Sequence, residues 1–104
     1  MRNSLNERIH DLRERTGMTQ TELSIRLGVT RSCVNAWEMG VSKPSLENLK
    51  ALSRIFHTST DFLLGCTNKD VIYIDNYTVR EKELLMCLIS YIEGQHEIQK
   101  KLKK

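Results

Sequence analysis

Segment 30–39 of the sequence carries a set of short polar side chains that could make hydrogen bonds at a nucleic-acid surface. Val34 and Trp37 are three residues apart, the spacing of one helical face, and we expect both to face the core. The side chains expected on the opposite, solvent-facing side of this helix are short or polar and include no carboxylate, which suits approach to a polyanion. They are those of Thr30, Arg31, Ser32, Asn35, Ala36 and Met39.

The chemistry of these side chains matches the edges of bases in the major groove of DNA. Arg31 could donate to guanine, Asn35 could form paired bonds with adenine, and Ser32 could bond either a base or a phosphate. Ala36, or the methyl group of Thr30, could contact the methyl group of thymine. The pattern therefore predicts that one face of a helix reads double-stranded DNA.

A very short turn precedes this segment. Gly28 tolerates the left-handed backbone that follows a helix end, and Thr30 is a favoured residue for capping a new helix. Val29, between them, supplies an apolar side chain for the turn. A connection this short forces two helices to cross steeply, as in a helix-turn-helix.

Capping residues predict five short helices before residue 66. Ser4 with Glu7, and Thr19 with Glu22, have the spacing of capping boxes. Further serine or threonine caps stand at Thr30, Ser45 and Ser59. These signals predict an all-α fold in which five helices form one domain.

The remaining part of the chain has a different pattern. The β-branched and aromatic residues of VIYI, at 71–74, favour a brief strand. Thr78 and Glu81 then predict a sixth helix that runs to about Gln95 or beyond. We therefore predict a domain at 1–65 and a second segment, 66–104, made of a short strand and a C-terminal helix.

The composition argues against several classes of function. With 104 residues and a net charge of +3, the chain is one ordinary domain whose mild basicity permits DNA binding. No apolar run is long enough for a membrane span, and the N-terminus lacks the apolar core of a signal peptide, so we expect a cytoplasmic protein. Its three cysteines and three histidines are scattered, and no nucleophile–base set occurs. We expect no metal, no cofactor and no enzymatic activity.

Three stretches of the sequence resemble the lambda-repressor-like, Cro-type helix-turn-helix family of prokaryotic and phage regulators, also known as the xenobiotic-response-element family. The patterns Q-x-E-L-x-x-x-L-G-V-T, W-E-x-G and P-S-L-x-x-L-x-x-L occur in the order found in that family. The resemblance extends over residues 5–65. It implies a five-helix DNA-binding domain and a role in transcription regulation.

The resemblance also implies roles for individual positions. Gln20 and Lys43 would contact DNA phosphates, and Thr30 would cap the recognition helix and touch the backbone. Arg13 and Glu38 match positions that often form an inward-facing ion pair. Many relatives have a long polar residue where Ala36 stands, which shifts the reading of bases toward the other positions. The base-reading positions of the family correspond to Arg31, Ser32, Asn35 and Ala36.

The sixth predicted helix carries an apolar stripe that the five-helix domain does not need for its own core. We interpret this stripe as a homodimer surface, which favours a repressor that binds a palindromic operator as a dimer. The same stripe could instead fold back on the bundle, or bind a small protein partner, as in an antitoxin that regulates its own operon. The stripe consists of Leu84, Leu85, Leu88, Ile89 and Ile92.

Overall fold

The computed structural model describes residues 4–102 and contains six α-helices and no strand within that range. The all-α class and the order of the six helices are therefore confirmed. The helices are α1 (Leu5–Arg15), α2 (Gln20–Leu27), α3 (Arg31–Glu38), α4 (Leu46–Ile55), α5 (Thr60–Leu64) and α6 (Val79–Leu102).

Hydroxyl caps begin most of these helices. In each case a side-chain oxygen accepts the backbone N–H three residues further along, at 3.0–3.2 Å. These contacts satisfy donors that the first turn of a helix leaves without partners. The capping residues are Thr19, Thr30, Ser45, Ser59 and Thr78.

The capping box predicted at Ser4 is wrong. Ser4 is the N-cap of α1, but its side chain makes no capping bond to the backbone. Its hydroxyl donates instead to the carboxylate of Glu7. In a capping box the carboxylate of Glu7 would accept the backbone N–H of Ser4, whereas here it accepts the hydroxyl of Ser4.

The core of the five-helix domain is formed by one apolar side chain or more from each of α1 to α5. Helix α2 packs against α3, α1 packs against α3 and α5, and α4 packs against α5 and α2. This arrangement encloses the inner face of α3 and leaves its other face outside. The buried apolar cluster comprises Ile9, Leu12, Leu23, Val34, Trp37, Leu52, Phe56, Phe62 and Leu63.

The strand predicted at 71–74 is wrong. This segment is irregular, and the backbone N–H of Tyr73 donates to the carbonyl of His57 at 3.0 Å. A strand needs a neighbouring strand to satisfy its backbone groups, and no other part of residues 4–102 forms a strand that could pair with this segment. The β-branched and aromatic residues at 71–74 favour an extended backbone, but this local preference does not produce a strand without a pairing partner.

Two arginines of α1 hold the segment that follows α5. The guanidinium of Arg8 is buried, lies 4.3 Å from the ring centroid of Phe62 and donates to the carbonyl of that residue. It also donates to the carbonyl of Thr67 at 3.3 Å. Arg15 forms an ion pair with Asp70, with Nη1 at 2.7 Å from Oδ2.

The chain divides into two compact units, Met1–Tyr73 and Ile74–Lys104. Residues 66–73 accordingly lie in the first unit, and the second unit contains α6. The domain boundary predicted after residue 65 stays a prediction. The two predicted segments, 1–65 and 66–104, also include residues 1–3 and 103–104, which lie outside the described residues. Among residues 4–102, no helix has the length and apolar character needed to cross a membrane.

Candidate nucleic-acid interface

The turn between α2 and α3 is closed by a pair of backbone bonds. Gly28 has a φ of 71°, in the left-handed region that glycine adopts without strain. Its N–H donates to the carbonyl of Ile25, and the N–H of Val29 donates to that of Ser24, at 3.2 and 3.0 Å. This is the bond pattern of a Schellman motif, and it ends α2 in time for Thr30 to cap α3.

Helix α3 has one buried face and one open face. Val34 is fully buried and Trp37 is 2% exposed, which anchors the helix in the core. Cys33 is half-buried and packs against the same core cluster. The first turn contains no acidic residue, so the open face carries no carboxylate that would repel a phosphate.

The residues predicted to contact DNA are accessible. The side chains of Gln20 and Ala36 are half-buried, and those of the other five positions are exposed. Arg31 and Asn35 are therefore accessible to DNA. Burial of these two side chains in the core would have excluded the contacts expected of them. Lys43 stands apart in the loop between α3 and α4. The five exposed positions are Thr30, Arg31, Ser32, Asn35 and Lys43.

Below this face lies a buried carboxylate, that of Glu38, with three side-chain partners. Arg13 approaches it with two nitrogens, Nε at 2.7 Å from Oε2 and Nη2 at 3.0 Å from Oε1. His10 Nδ1 lies 2.8 Å from Oε1, and Gln20 Nε2 donates to the same oxygen at 3.3 Å. The ion pair between Arg13 and Glu38 that the family resemblance implied is present.

The partners of Glu38 keep its carboxylate ionised. Burial is the largest single influence and raises the pKa of Glu38, because it removes water from the charge. Hydrogen bonds from Arg13, His10 and Gln20, together with the positive charge of Arg13, outweigh burial and hold the pKa below its usual value. The hydrogen bond to Glu38 is in turn the main reason why the pKa of Arg13 is raised.

Two of the predicted DNA-contacting residues bond each other. Nε2 of Gln20, the first residue of α2, donates to Oδ1 of Asn35 on α3 at 3.2 Å. The same nitrogen reaches Glu38, so a continuous set of bonds connects the buried carboxylate to the open face. This connection could not be predicted from local sequence patterns, because it depends on how α2 crosses α3.

The helix-turn-helix family model HTH_3 matches residues 9–63, more than half of the chain. The chain belongs to this family, whose members are lambda-repressor-like, Cro/C1-type transcriptional regulators. The resemblance stated from the sequence is therefore confirmed.

Individual relatives agree with the family. The transcriptional activator BcrR of Enterococcus faecalis is 37% identical over 60 residues, which are 58% of this chain and 29% of BcrR. Repressor protein C2 of Salmonella phage P22 is 35% identical over 60 residues, which are 58% of this chain and 28% of the repressor. The chain thus spans less than a third of the length of either relative.

Two solved structures of similar proteins contain DNA. The P22 c2 repressor in complex with a synthetic operator has a TM-score of 0.58 and 34% identity, and the match covers 62% of this chain and 98% of the other. SinR of Bacillus subtilis in complex with DNA has a TM-score of 0.53 and 27% identity, covering 57% and 95%. The relatives named here are a transcriptional activator, a phage repressor and a regulator of biofilm formation, so the family to which this chain belongs is one of transcriptional regulators.

Proposed function

We propose that this regulator is a sequence-specific repressor that binds a palindromic operator as a homodimer, with the segment 30–39 of each protomer in a major groove. The observation that carries the proposal is the open face of α3: it is polar, accessible and free of carboxylates in its first turn, while the opposite face is fixed in the core. A helix held in this way can enter a groove without rearrangement of the domain.

We assign direct reading of bases to Arg31, Ser32, Asn35 and Ala36. Arg31 is the first residue of α3 and is exposed, and its guanidinium has the paired donors that match guanine. Ser32 can donate to or accept from a base. Ala36 is half-buried and offers only a methyl group, which suits contact with a thymine methyl.

We assign contacts with the DNA backbone to Gln20, Thr30 and Lys43. Gln20 begins α2, where unpaired backbone N–H groups and the helix dipole favour a phosphate. The oxygen of Thr30 accepts the N–H of Cys33, which leaves its hydroxyl hydrogen to donate to a phosphate. Lys43 is exposed in the loop after α3 and supplies a positive charge. Such contacts fix the orientation of the protein and carry no sequence information.

Homodimerisation is assigned to the apolar stripe of α6. This helix has 24 residues and none that is buried. Leu84 is 59% exposed and Leu88 is 58% exposed, while Leu85 is half-buried. With Ile89 and Ile92 they recur every three or four residues and form one face, the pattern of helices that pack against a partner helix. A second copy of the chain offers the same stripe, which suits a two-fold symmetric dimer.

Two protomers related by a two-fold axis would read half-sites about 34 Å apart, one turn of DNA. Repression is the favoured sign because the P22 relative is a repressor, although BcrR is an activator. Binding to chromosomal or phage DNA in a prokaryote also implies a cytoplasmic location.

Selection of bound fragments from a random DNA pool tests the proposal. The full chain should enrich a two-fold symmetric motif with half-site centres about 10 base pairs apart. Arg31→Ala should broaden the motif at one position in each half-site, whereas Lys43→Ala should preserve the motif and weaken binding to all sequences alike. Failure to enrich any motif would overturn sequence-specific binding. A reporter gene placed behind the selected motif then gives the sign of regulation.

A further inference from the structure

The segment 67–73, which follows α5, is held against the five-helix domain at three points. Its first point is a backbone carbonyl, its second a carboxylate and its third a backbone N–H. Successive points are three residues apart, so each further contact closes only a short loop and costs little chain entropy. Residues 67–73 thus form a tethered segment. Its points of contact are Thr67, Asp70 and Tyr73.

A buried arginine holds the start of the tethered segment. Arg8 is 2% exposed, and its guanidinium donates to the carbonyl of Thr67 at 3.3 Å and to Oδ1 of Asn68 at 3.5 Å. A buried guanidinium needs acceptors from the protein, because little water reaches it. Release of this end of the segment would remove acceptors from a buried charge, which favours the held state.

Two contacts at the surface hold the rest of the tethered segment. Arg15 donates to both carboxylate oxygens of Asp70, at 2.7 and 3.3 Å. The N–H of Tyr73 donates to the carbonyl of His57 at 3.0 Å. An exposed ion pair is weak by itself, but Arg8 already keeps these partners close together, which raises their effective concentration. The end of the segment is therefore held as well as its start.

Only five residues, 74–78, connect the tethered segment to α6, and they form its hinge. The N–H of Tyr77 donates to the carbonyl of Ile74 at 3.1 Å, which closes a turn, and the hydroxyl of Thr78 caps α6. Fully extended, five residues span about 17 Å and ten residues about 34 Å. Loss of the two surface contacts would release residues 69–73 and so double the length of the hinge.

We propose that the tethered segment sets the distance between the two half-sites that one dimer can bind. Two DNA-binding domains joined through α6 act as linked modules, and the second half-site is bound only if the connecting chain can span the distance. A short hinge spans a narrow range of distances, and Asp70 and Tyr73 keep the hinge short. They are positioning residues for the choice of operator. The inference rests on the proposed homodimer, since a monomer binds one half-site at a time.

Operators with two different spacings test the proposal. One is the operator selected from the random pool, and the other has one further turn, about 10 base pairs, inserted at its two-fold centre. The insertion adds about 34 Å and keeps both half-sites on one face of the DNA. The full-length wild type should bind the longer operator at least about 100-fold more weakly than the shorter one, because its hinges cannot span the added distance.

A double variant removes both surface contacts and leaves Arg8 in the core. Asp70→Ala removes the ion pair, and Tyr73→Pro removes the N–H that His57 accepts, because proline has none. The loss of affinity on the longer operator should then be at least about tenfold smaller than in the wild type, since a ten-residue hinge reaches further.

Two control variants separate the length of the hinge from other effects. Tyr73→Ala removes the ring but keeps the backbone N–H, so it should show the same loss as the wild type. Insertion of Gly-Ser-Gly-Ser-Gly after Tyr73 keeps all three contacts and gives a hinge of ten residues, so its loss should match that of the double variant within about threefold. Each loss compares two operators bound by one protein, so any unfolded fraction cancels.

The outcomes separate this inference from the function on which it rests. A dimeric wild type that binds both operators equally well would overturn the inference and leave the regulator assignment standing. A double variant that keeps the wild-type loss while the insertion relieves it would do the same, because the contacts would then not limit the hinge. An insertion variant that loses as much as the wild type would show that hinge length does not set the spacing. If the wild type is a monomer and selects no paired half-sites, the proposed dimer fails and the inference fails with it.

Discussion

Arg13 and Glu38 form a two-point ion pair that ties α1 to the end of α3. Nε of Arg13 lies 2.7 Å from Oε2 of Glu38, and its Nη2 lies 3.0 Å from Oε1. Nη1 of the same guanidinium donates to the carbonyl of Met18 at 2.8 Å. The pair therefore positions both the last turn of α3 and the entry to α2.

Removal of one partner from this pair should destabilise the domain. Arg13→Met leaves a buried carboxylate with only His10 and Gln20, so we expect the free energy of unfolding in urea to fall by about 3 kcal/mol. Arg15→Met is the matched control on the same helix, because its partner Asp70 lies at the surface. That variant should lose no more than about 1 kcal/mol. Equal losses in the two variants would contradict a structural role for the buried pair.

The lowered pKa of Glu38 makes part of the stability depend on pH. A carboxylate whose pKa is depressed by folding stabilises the folded state above the pKa of the unfolded chain, about 4.3, and loses that contribution as the pH falls through the lower folded value. The advantage of the wild type over Glu38→Gln in urea unfolding should therefore shrink between pH 6 and pH 3. A constant difference over this range would show that ionisation of Glu38 does not stabilise the fold.

The boundaries of the helices were largely predictable because they depend on local chemistry. Hydroxyl caps at Thr19, Thr30 and Thr78 act within three residues, and the glycine that ends α2 acts through its own backbone. The capping box predicted at Ser4 was wrong because the hydroxyl of Ser4 bonds a nearby side chain, that of Glu7, rather than the backbone. Local signals do not reveal which of two nearby partners a hydroxyl takes.

Contacts between elements were predictable only where a family pattern carried them. The pairing of Arg13 with Glu38 came from the resemblance, whereas Arg8 was missed, although it stands four residues before Leu12 on the apolar stripe of α1. The bond between Gln20 and Asn35 depends on the crossing of two helices. The strand at 71–74 failed because a strand also needs a partner from elsewhere in the chain.

Two glycines should respond to alanine in opposite directions. Gly28 has a φ of 71° with no atom within 4 Å of an added Cβ, so Gly28→Ala should destabilise through backbone strain alone, by about 1–2 kcal/mol. Gly94 lies inside α6, also with free space around it, and Gly94→Ala should stabilise that helix by about 0.5–1 kcal/mol. Urea unfolding checks the first and thermal loss of helical circular dichroism the second. A neutral Gly28→Ala would mean that the turn does not require the left-handed conformation.

A charge placed on the apolar stripe of α6 should separate the proposed dimer. Leu88→Glu should lower the sedimentation coefficient of the full chain to that of a monomer, since a charge is costly to bury in an apolar interface. Ser90→Glu is the control, because two residues correspond to about 200° around the helix and put that side chain on the other face. A wild type that sediments as a monomer at micromolar concentration would exclude a stable homodimer through this stripe. A small protein that copurifies in equal amount would assign the stripe to that partner instead.

The central claim, that α3 enters the major groove, can be tested by methylation interference on the selected operator. Dimethyl sulfate modifies guanine at N7, in the major groove, and adenine at N3, in the minor groove. We predict that N7 methylation blocks binding at guanines in both half-sites, about 10 base pairs apart, and that Arg31→Ala abolishes the effect at one guanine in each. Interference confined to adenine N3 would place the protein in the minor groove and contradict the account.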